Sequence, residues 1–395
     1  MLKFPDNFFW GTATSAHQIE GDNTNNDWWE AEQGSLLPHK SGKACDSYNR
    51  YEEDFDLAKA MGNNAHRFSI EWSRIEPEEG KFSEKAIEHY CKVLQALRAR
   101  GLEPFVTLHH FTNPVWFSAR GGWANERAPD YFALYVKYVA AHLGNDVKYW
   151  ITMNEPVIVI SKGHLSGKWP PFKKLDFLGC FRSSSNMAKA HNLAYETLNK
   201  IGGKVGIAKS INYLDQGGGA LSPITALAVL VSRYIKNWWF LDKIARHQDF
   251  IGINYYTRYK FSFKRGFFDD WKEKRSDFGW EIYPEGIYHV AKETYKRYKK
   301  PIYITENGIS DADDDQRAEF IKNHLKWLHK ATEEGLDVRG YFYWSLLDNF
   351  EWAEGFTQRF GLVEVSFETF ERKMRKSGEL YGEVCRNNGL APGRV

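Results

Sequence analysis

Ile302-Tyr303-Ile304-Thr305-Glu306-Asn307-Gly308 is a run of β-branched and aromatic residues that ends abruptly in a carboxylate, an amide and a glycine. An apolar run without polar alternation fits a strand covered on both faces, as strands of a parallel sheet are. The same pattern recurs along the chain. It reads as strands at Phe8–Thr12, Ala65–Ile70, Glu103–Leu108, Val147–Thr152, Lys204–Ala208, Phe250–Asn254, Ile302–Thr305 and Gly340–Trp344. Helical patterns lie near Glu53–Met61, Ser83–Arg100, Pro129–Leu143, Ser184–Ile201, Pro223–His247, Pro284–Lys299, Gln316–Glu334 and Lys373–Asn387. In the clearest, Ser83 caps the start, Gly101 ends it, and Ile87, Tyr90, Cys91, Leu94 and Leu97 form one apolar stripe.

Eight strands alternating with eight helices predict an α/β fold, a closed (β/α)8 TIM barrel over an open doubly wound sheet. A barrel carries its chemistry at the C-terminal ends of its strands. Polar residues unusual for a core stand there: His109-His110, Asn154-Glu155, Asn254, Glu306-Asn307 and Ser345. At roughly 150 residues per domain, 395 residues would allow two or three, but α/β barrels exceed that size as one unit. No linker-like run divides the chain, so residues 1–395 read as a single barrel domain.

Composition narrows the function. Hydrophobic residues at 43% and charged residues at 26% exclude a disordered or fibrous chain. Lys+Arg 53 against Asp+Glu 51 gives +2, so no global field recruits nucleic acid or anionic membrane. Aromatic residues reach 16%, with 15 Trp, which suits a cleft that stacks flat, semi-polar ligands such as sugars. The four cysteines (Cys45, Cys91, Cys180, Cys385) are widely spaced and read as reduced thiols. The N-terminus has no apolar h-region, and the uncharged stretch Gln216 to Ser232, with its Gly, Pro and hydroxyls, falls short of a membrane span. A cytoplasmic location is expected. The acidic cluster Asp311 to Asp315 reads as a solvated loop leading into a helix, and Arg372 to Lys376 as a solvated helix face.

Two carboxylates, Glu155 after the fourth strand and Glu306 after the seventh, stand almost opposite each other across such a barrel. A pair with one acid and one ionised member is the minimum for glycoside hydrolysis. His109-His110 lacks an acidic partner at helical ligand spacing, and no G-x-G-x-x-G, P-loop or zinc spacing occurs, so neither metal nor cofactor is expected.

Five motifs in order resemble glycoside hydrolase family 1, the β-glucosidase-type family, over nearly the whole length. They are Phe8-Phe9-Trp10-Gly11-Thr12-Ala13-Thr14-Ser15-Ala16-His17-Gln18-Ile19-Glu20-Gly21, Arg67-Phe68-Ser69-Ile70-Glu71-Trp72-Ser73-Arg74, Thr152-Met153-Asn154-Glu155-Pro156, Ile304-Thr305-Glu306-Asn307-Gly308 and Trp344-Ser345-Leu346-Leu347-Asp348-Asn349-Phe350-Glu351-Trp352. The resemblance implies a retaining exo-β-glycosidase acting on terminal β-glucosyl or related residues of small glycosides or short oligosaccharides. It implies Glu306 as nucleophile, Glu155 as acid/base, and Arg67 and Tyr256 as the donors that keep Glu306 ionised. Asn154, Gln18, His110, Glu351 and Trp352 would bind sugar hydroxyls, Trp344 would lie under the ring, and Trp280 at the cleft mouth.

Departures from the family pattern touch the substrate's surroundings. Members are usually longer, and the missing length falls between the fifth and sixth strands, where Phe240-Leu241-Asp242-Lys243-Ile244 reaches Asp249-Phe250 almost directly. Phe111 stands where a Trp is usual, and Val157 where an aromatic often forms the aglycone site. These changes predict weak binding of a second sugar. Glu351-Trp352-Ala353 lacks the Ser/Lys pattern of the family's phospho-glycosidases, which favours a free terminal sugar. Galactose, fucose or a phospho-glycoside, or a carbohydrate-binding barrel with weak turnover, are the competing readings.

Overall fold

A computed structural model describes residues 2–216, 223–262, 266–268 and 273–391. Eight parallel strands close into a barrel: β1 (Phe9–Ala13), β2 (Ala65–Ser69), β3 (Glu103–Thr107), β4 (Tyr149–Asn154), β5 (Lys204–Ser210), β6 (Phe250–Asn254), β7 (Ile302–Asn307) and β8 (Val338–Trp344). They pair in chain order, and β8 returns to β1 with Gly340 opposite Phe9. Eight helices cover the outside: α1 (Ser47–Ala60), α2 (Glu84–Ala99), α3 (Ala128–Leu143), α4 (Phe177–Lys200), α5 (Pro223–Arg233), α6 (Glu285–Tyr298), α7 (Arg317–Glu333) and α8 (Lys376–Asn387). Shorter elements fill the loops, among them a small sheet of Tyr213–Gln216, Arg258–Ser262 and Gly266–Phe268.

The barrel interior is aromatic at its base. Phe105 and Tyr149 stack at 4.3 Å, with Phe250, Tyr303 and Phe342 around them. Rings of this size fit because small residues face them: a Cβ on Gly11 would lie 2.6 Å from the Phe342 ring. Above these rings the interior turns polar, and Arg67, Asn154, Asn254 and Glu306 occupy the next layer at the strand C-termini. Helix α2 follows its pattern: Ser83 Oγ accepts from the Ala86 amide at 3.2 Å, and Gly101 takes the left-handed φ of +67° that ends the turn.

Several expectations are corrected. Helix α4 starts at Phe177, not Ser184, because Asp176 caps it by accepting from the Gly179 amide at 2.8 Å. Its first turns carry outward apolar residues, so no inward stripe marks them. The Pro223–His247 pattern is broken by a π-turn at Tyr234–Trp238 into α5 and a second helix, Trp239–Ile244. Asp311 is no solvated residue; it is buried and accepts from the Gln316 and Arg317 amides at 3.0 and 2.8 Å, seating the start of α7. The basic stretch is no solvated helix face either. Arg372 lies on a strand, Arg372–Met374, with its side chain buried against Asp54 at 2.9 Å, and Arg375 pairs with Asp348 at 2.8 Å. Buried guanidinium groups need such partners, and the partners are far away in sequence. Among the described residues, no helix is long and apolar enough to cross a membrane.

Candidate active site

Arg67 organises the site. It projects from β2 into the barrel, fully buried, and its Nη1 donates to Glu306 Oε1 at 2.5 Å and to the Thr305 carbonyl at 3.1 Å. Its Nη2 donates to Asn154 Oδ1 at 2.8 Å and its Nε to Thr107 Oγ1 at 3.2 Å. One guanidinium therefore ties β2, β3, β4 and β7 together. The second oxygen of Glu306 accepts from the Tyr256 hydroxyl at 2.7 Å.

Glu155 stands just past the end of β4, with a left-handed φ of +44°, and Pro156 begins a short helix immediately after it. That turn leaves its carboxyl with the amide of Asn254, at 2.9 Å, as its donor. Asn254 also donates to Asn154 Oδ1 at 3.0 Å and accepts from Thr305 Oγ1 at 2.7 Å. Asn154 in turn donates to His110 Nε2 at 3.0 Å.

The two carboxylates are thus treated differently. Burial and then the neighbouring Glu306 charge push the Glu155 carboxyl up to about 8. Burial also pushes Glu306 upward, opposed by Arg67 and Tyr256. The pair titrates as a unit, and a guanidinium does not give up its proton. A neutral Glu306 would leave the buried Arg67 charge unanswered, which favours the ionised form at Glu306 and the protonated form at Glu155.

A third carboxyl, half-buried, completes the group. Glu351 is raised to about 8 by burial and by Glu306, and it accepts from Gln18 Nε2 at 3.1 Å. Gln18 is itself fixed, donating to the Phe350 carbonyl at 2.9 Å and accepting from Ser15 Oγ at 2.6 Å. His110 lies nearly parallel to Trp344 and to Trp352, with ring centroids 5.9 and 6.1 Å away. Trp280 packs on Tyr256 at 5.4 Å and on Phe278 at 4.1 Å.

These side chains surround a cavity of about 260 Å3. His110, Asn154, Glu155, Tyr256, Trp280, Glu306, Trp344, Glu351 and Trp352 line it; Arg67 and Gln18 stand behind, gripping residues that do. Asn254, expected only as a polar strand end, and Trp169, not expected at all, are among the further contributors. Asn254 ends an apolar strand as Asn154 does, so its signal was present. Trp169 sits in a loop with no periodicity to mark it, yet it reaches the cavity wall 5.1 Å from Phe111. Val157 does not line the cavity, whereas Ile158 does. Trp169 packs against Trp28, Phe111 and Trp352, on the side of the cavity where Trp352 stands.

The chain matches the family model "Glycosyl hydrolase family 1" over residues 1–248 and 239–390. It is 35% identical over 441 residues to Beta-glucosidase A of Thermotoga maritima, covering 98% of this chain and 99% of that protein. Among solved structures, the beta-glycosidase from Pyrococcus horikoshii superposes with a TM-score of 0.94 at 45% identity, covering 99% of this chain and 96% of that one. The beta-glucosidase from Thermotoga maritima in complex with glucoimidazole gives 0.94 at 33% identity, covering 99% of this chain and all of that one.

Proposed function

The chain belongs to glycosyl hydrolase family 1 and is a β-glycosidase; we propose that, as one catalytic unit over residues 1–395, it removes terminal β-linked glucose or a closely related sugar from a small aglycone or short oligosaccharide, with retention. The unequal surroundings of the two carboxyls carry this reading: Glu306 lies between Arg67 and Tyr256, while Glu155 has the Asn254 amide and burial pushes it up to about 8.

In the first step Glu306 attacks the anomeric carbon and forms a glycosyl ester. The bond to the leaving oxygen breaks as Glu155 gives that oxygen its proton. Glu155, now a carboxylate, takes a proton from water, and the hydroxide attacks the same carbon and releases Glu306. Asn154, fixed by Arg67, reaches toward the sugar 2-hydroxyl, and Glu351 and Gln18 toward the outer hydroxyls. Trp344 and Trp352 supply apolar ring surface. Glucose is favoured by the beta-glucosidases among the relatives. Four free thiols suit a reducing, cytoplasmic setting.

A panel of nitrophenyl β-glycosides, followed by NMR of the sugar as it is first released, tests the reading. The glucoside is expected to give the highest kcat/KM and the β-anomer to appear first. Initial release of the α-anomer would overturn the covalent mechanism.

A further inference from the structure

Helix α5 turns its apolar face outward. Ile224, Leu227, Val231 and Ile235 recur at intervals of three or four residues, and they are 67, 61, 50 and 53% exposed. The stripe runs on into Trp239 and Lys243, whose ammonium lies 3.9 Å from the Trp239 ring and 5.5 Å from the Phe181 ring of α4. Phe181 opens a second apolar set. With Phe177, Leu178 and Leu175 at the start of α4, it is 59–69% exposed. Most of the large apolar side chains left in water among the described residues thus belong to one stretch, 175–235. Apolar surface of this extent, bridged by Lys243, marks a place of contact.

Among the described residues, the unpaired charges flanking the start of α4 are basic. Lys168, Lys173, Lys174 and Arg182 are exposed there. The nearby carboxylates are occupied within the chain: Asp176 caps α4 and pairs with His164, and Asp242 is held by Arg297 and Tyr298. A two-fold dimer through this face would set basic rim against basic rim, which like-charge repulsion opposes. An apolar helix face with a cationic border instead matches a surface with anionic headgroups over an acyl layer. The net charge of +2 gives no global attraction, so the pull is local. No described helix spans a membrane, which leaves a helix that lies in the interface.

We propose that the α4–α5 face seats this protein on an anionic lipid bilayer, with the apolar side chains at the acyl boundary and the lysines on the headgroups. Helix α5 packs against the strand Tyr213–Gln216, which follows Asn212 in the cavity wall. The contact therefore lies on the flank of the sugar cavity and leaves its catalytic residues untouched.

Co-sedimentation of the full chain with vesicles of equal parts phosphatidylglycerol and phosphatidylcholine, against pure phosphatidylcholine, tests this. The protein is expected to pellet with the anionic vesicles, several-fold less with the neutral ones, and several-fold less at high salt. A Leu227→Ser/Val231→Ser/Ile235→Ser variant and a separate Lys173→Glu/Lys174→Glu variant should each lose most of that binding. Both should keep wild-type kcat/KM on a soluble aryl glycoside, which shows that they fold; the charge variant decides if the apolar one does not. Failure of the wild type to pellet, or unchanged pelleting of the variants, would overturn the proposal. So would a dimer in light scattering that the apolar variant dissolves without any vesicle binding, which would identify the occupant as a second copy.

Discussion

Arg67 and Glu306 are 239 positions apart in the sequence, and their side chains meet at 2.5 Å. Both are almost wholly removed from water, so each is the other's main source of compensation. Arg67→Met should therefore damage two properties together. Loss of a charge-assisted bond costs about 1.5–3 kcal/mol, or roughly ten- to a hundredfold in kcat/KM. Leaving a buried carboxylate unpaired costs about 3–5 kcal/mol of stability. Thermal unfolding and aryl-glucoside kinetics on one preparation check this; a loss of stability with unchanged kcat/KM would reduce Arg67 to a structural tie.

The carboxyl assignment is tested by making the two fail differently. Glu306→Ala should abolish turnover of every substrate, and azide should restore it as an inverted glycosyl azide. Glu155→Ala should still be glycosylated by dinitrophenyl glucoside, whose leaving oxygen needs no proton, and then stall. Azide should speed that stalled enzyme and give the retained product. Swapped azide stereochemistry would exchange the roles. In a crystal structure with a bound inhibitor the carboxyls should stand about 5–5.5 Å apart, the separation of retaining pairs.

The raised Glu155 carboxyl sets an upper pH limit. With its value at about 8, the acid stays loaded through neutrality, and kcat/KM should fall above that pH, tenfold per unit. A dinitrophenyl substrate should lose that limb. Stability should move with pH as well. Glu155 and Glu351, both at about 8, keep protons that the unfolded chain releases near its ordinary carboxyl value. The folded state then holds more protons than the unfolded one between about pH 5 and 8, so stability falls as pH rises across that window. Glu351→Gln should flatten the decline in Tm.

Glu351→Ala should cost about 1–3 kcal/mol in transition-state binding, since a carboxyl there meets two hydroxyls at about 0.5–1.5 kcal/mol each. Gln18→Ala should reproduce part of the loss, because Gln18 holds Glu351 at 3.1 Å. Unchanged kcat/KM on nitrophenyl glucoside in both variants would misplace the sugar.

Trp169→Ala should raise KM for cellobiose several-fold, the equivalent of about 0.5–1.5 kcal/mol of ring stacking, and leave the aryl-glucoside kcat nearly intact. Equal effects on both substrates would remove Trp169 from the aglycone side.

Much of the architecture was legible because parallel barrel strands are buried on both faces and show as unbroken apolar runs. All eight were visible in that way, as were the polar residues at their ends. Helix starts were harder. Helix α4 begins on side chains that face water, so burial never patterned them. Charge clusters misled for a related reason: Asp311 and Arg372 look solvated until distant partners are folded against them. Asn254 was legible as a polar strand end but not as the donor to Glu155, whereas Trp169 depends on the path of a loop, which no local pattern encodes.

The Arg67 network has a consequence for how the chain comes to work at all. Its bonds join residues 239, 99, 87 and 50 positions apart, from strands on different sides of the ring. Neither half of the barrel, β1–β4 or β5–β8, holds a carboxyl together with all the donors that distinguish it from its counterpart. An open, half-wound intermediate would have every residue and no catalyst, so turnover during refolding should report the shutting of the ring itself, as an all-or-none signal that secondary structure would precede.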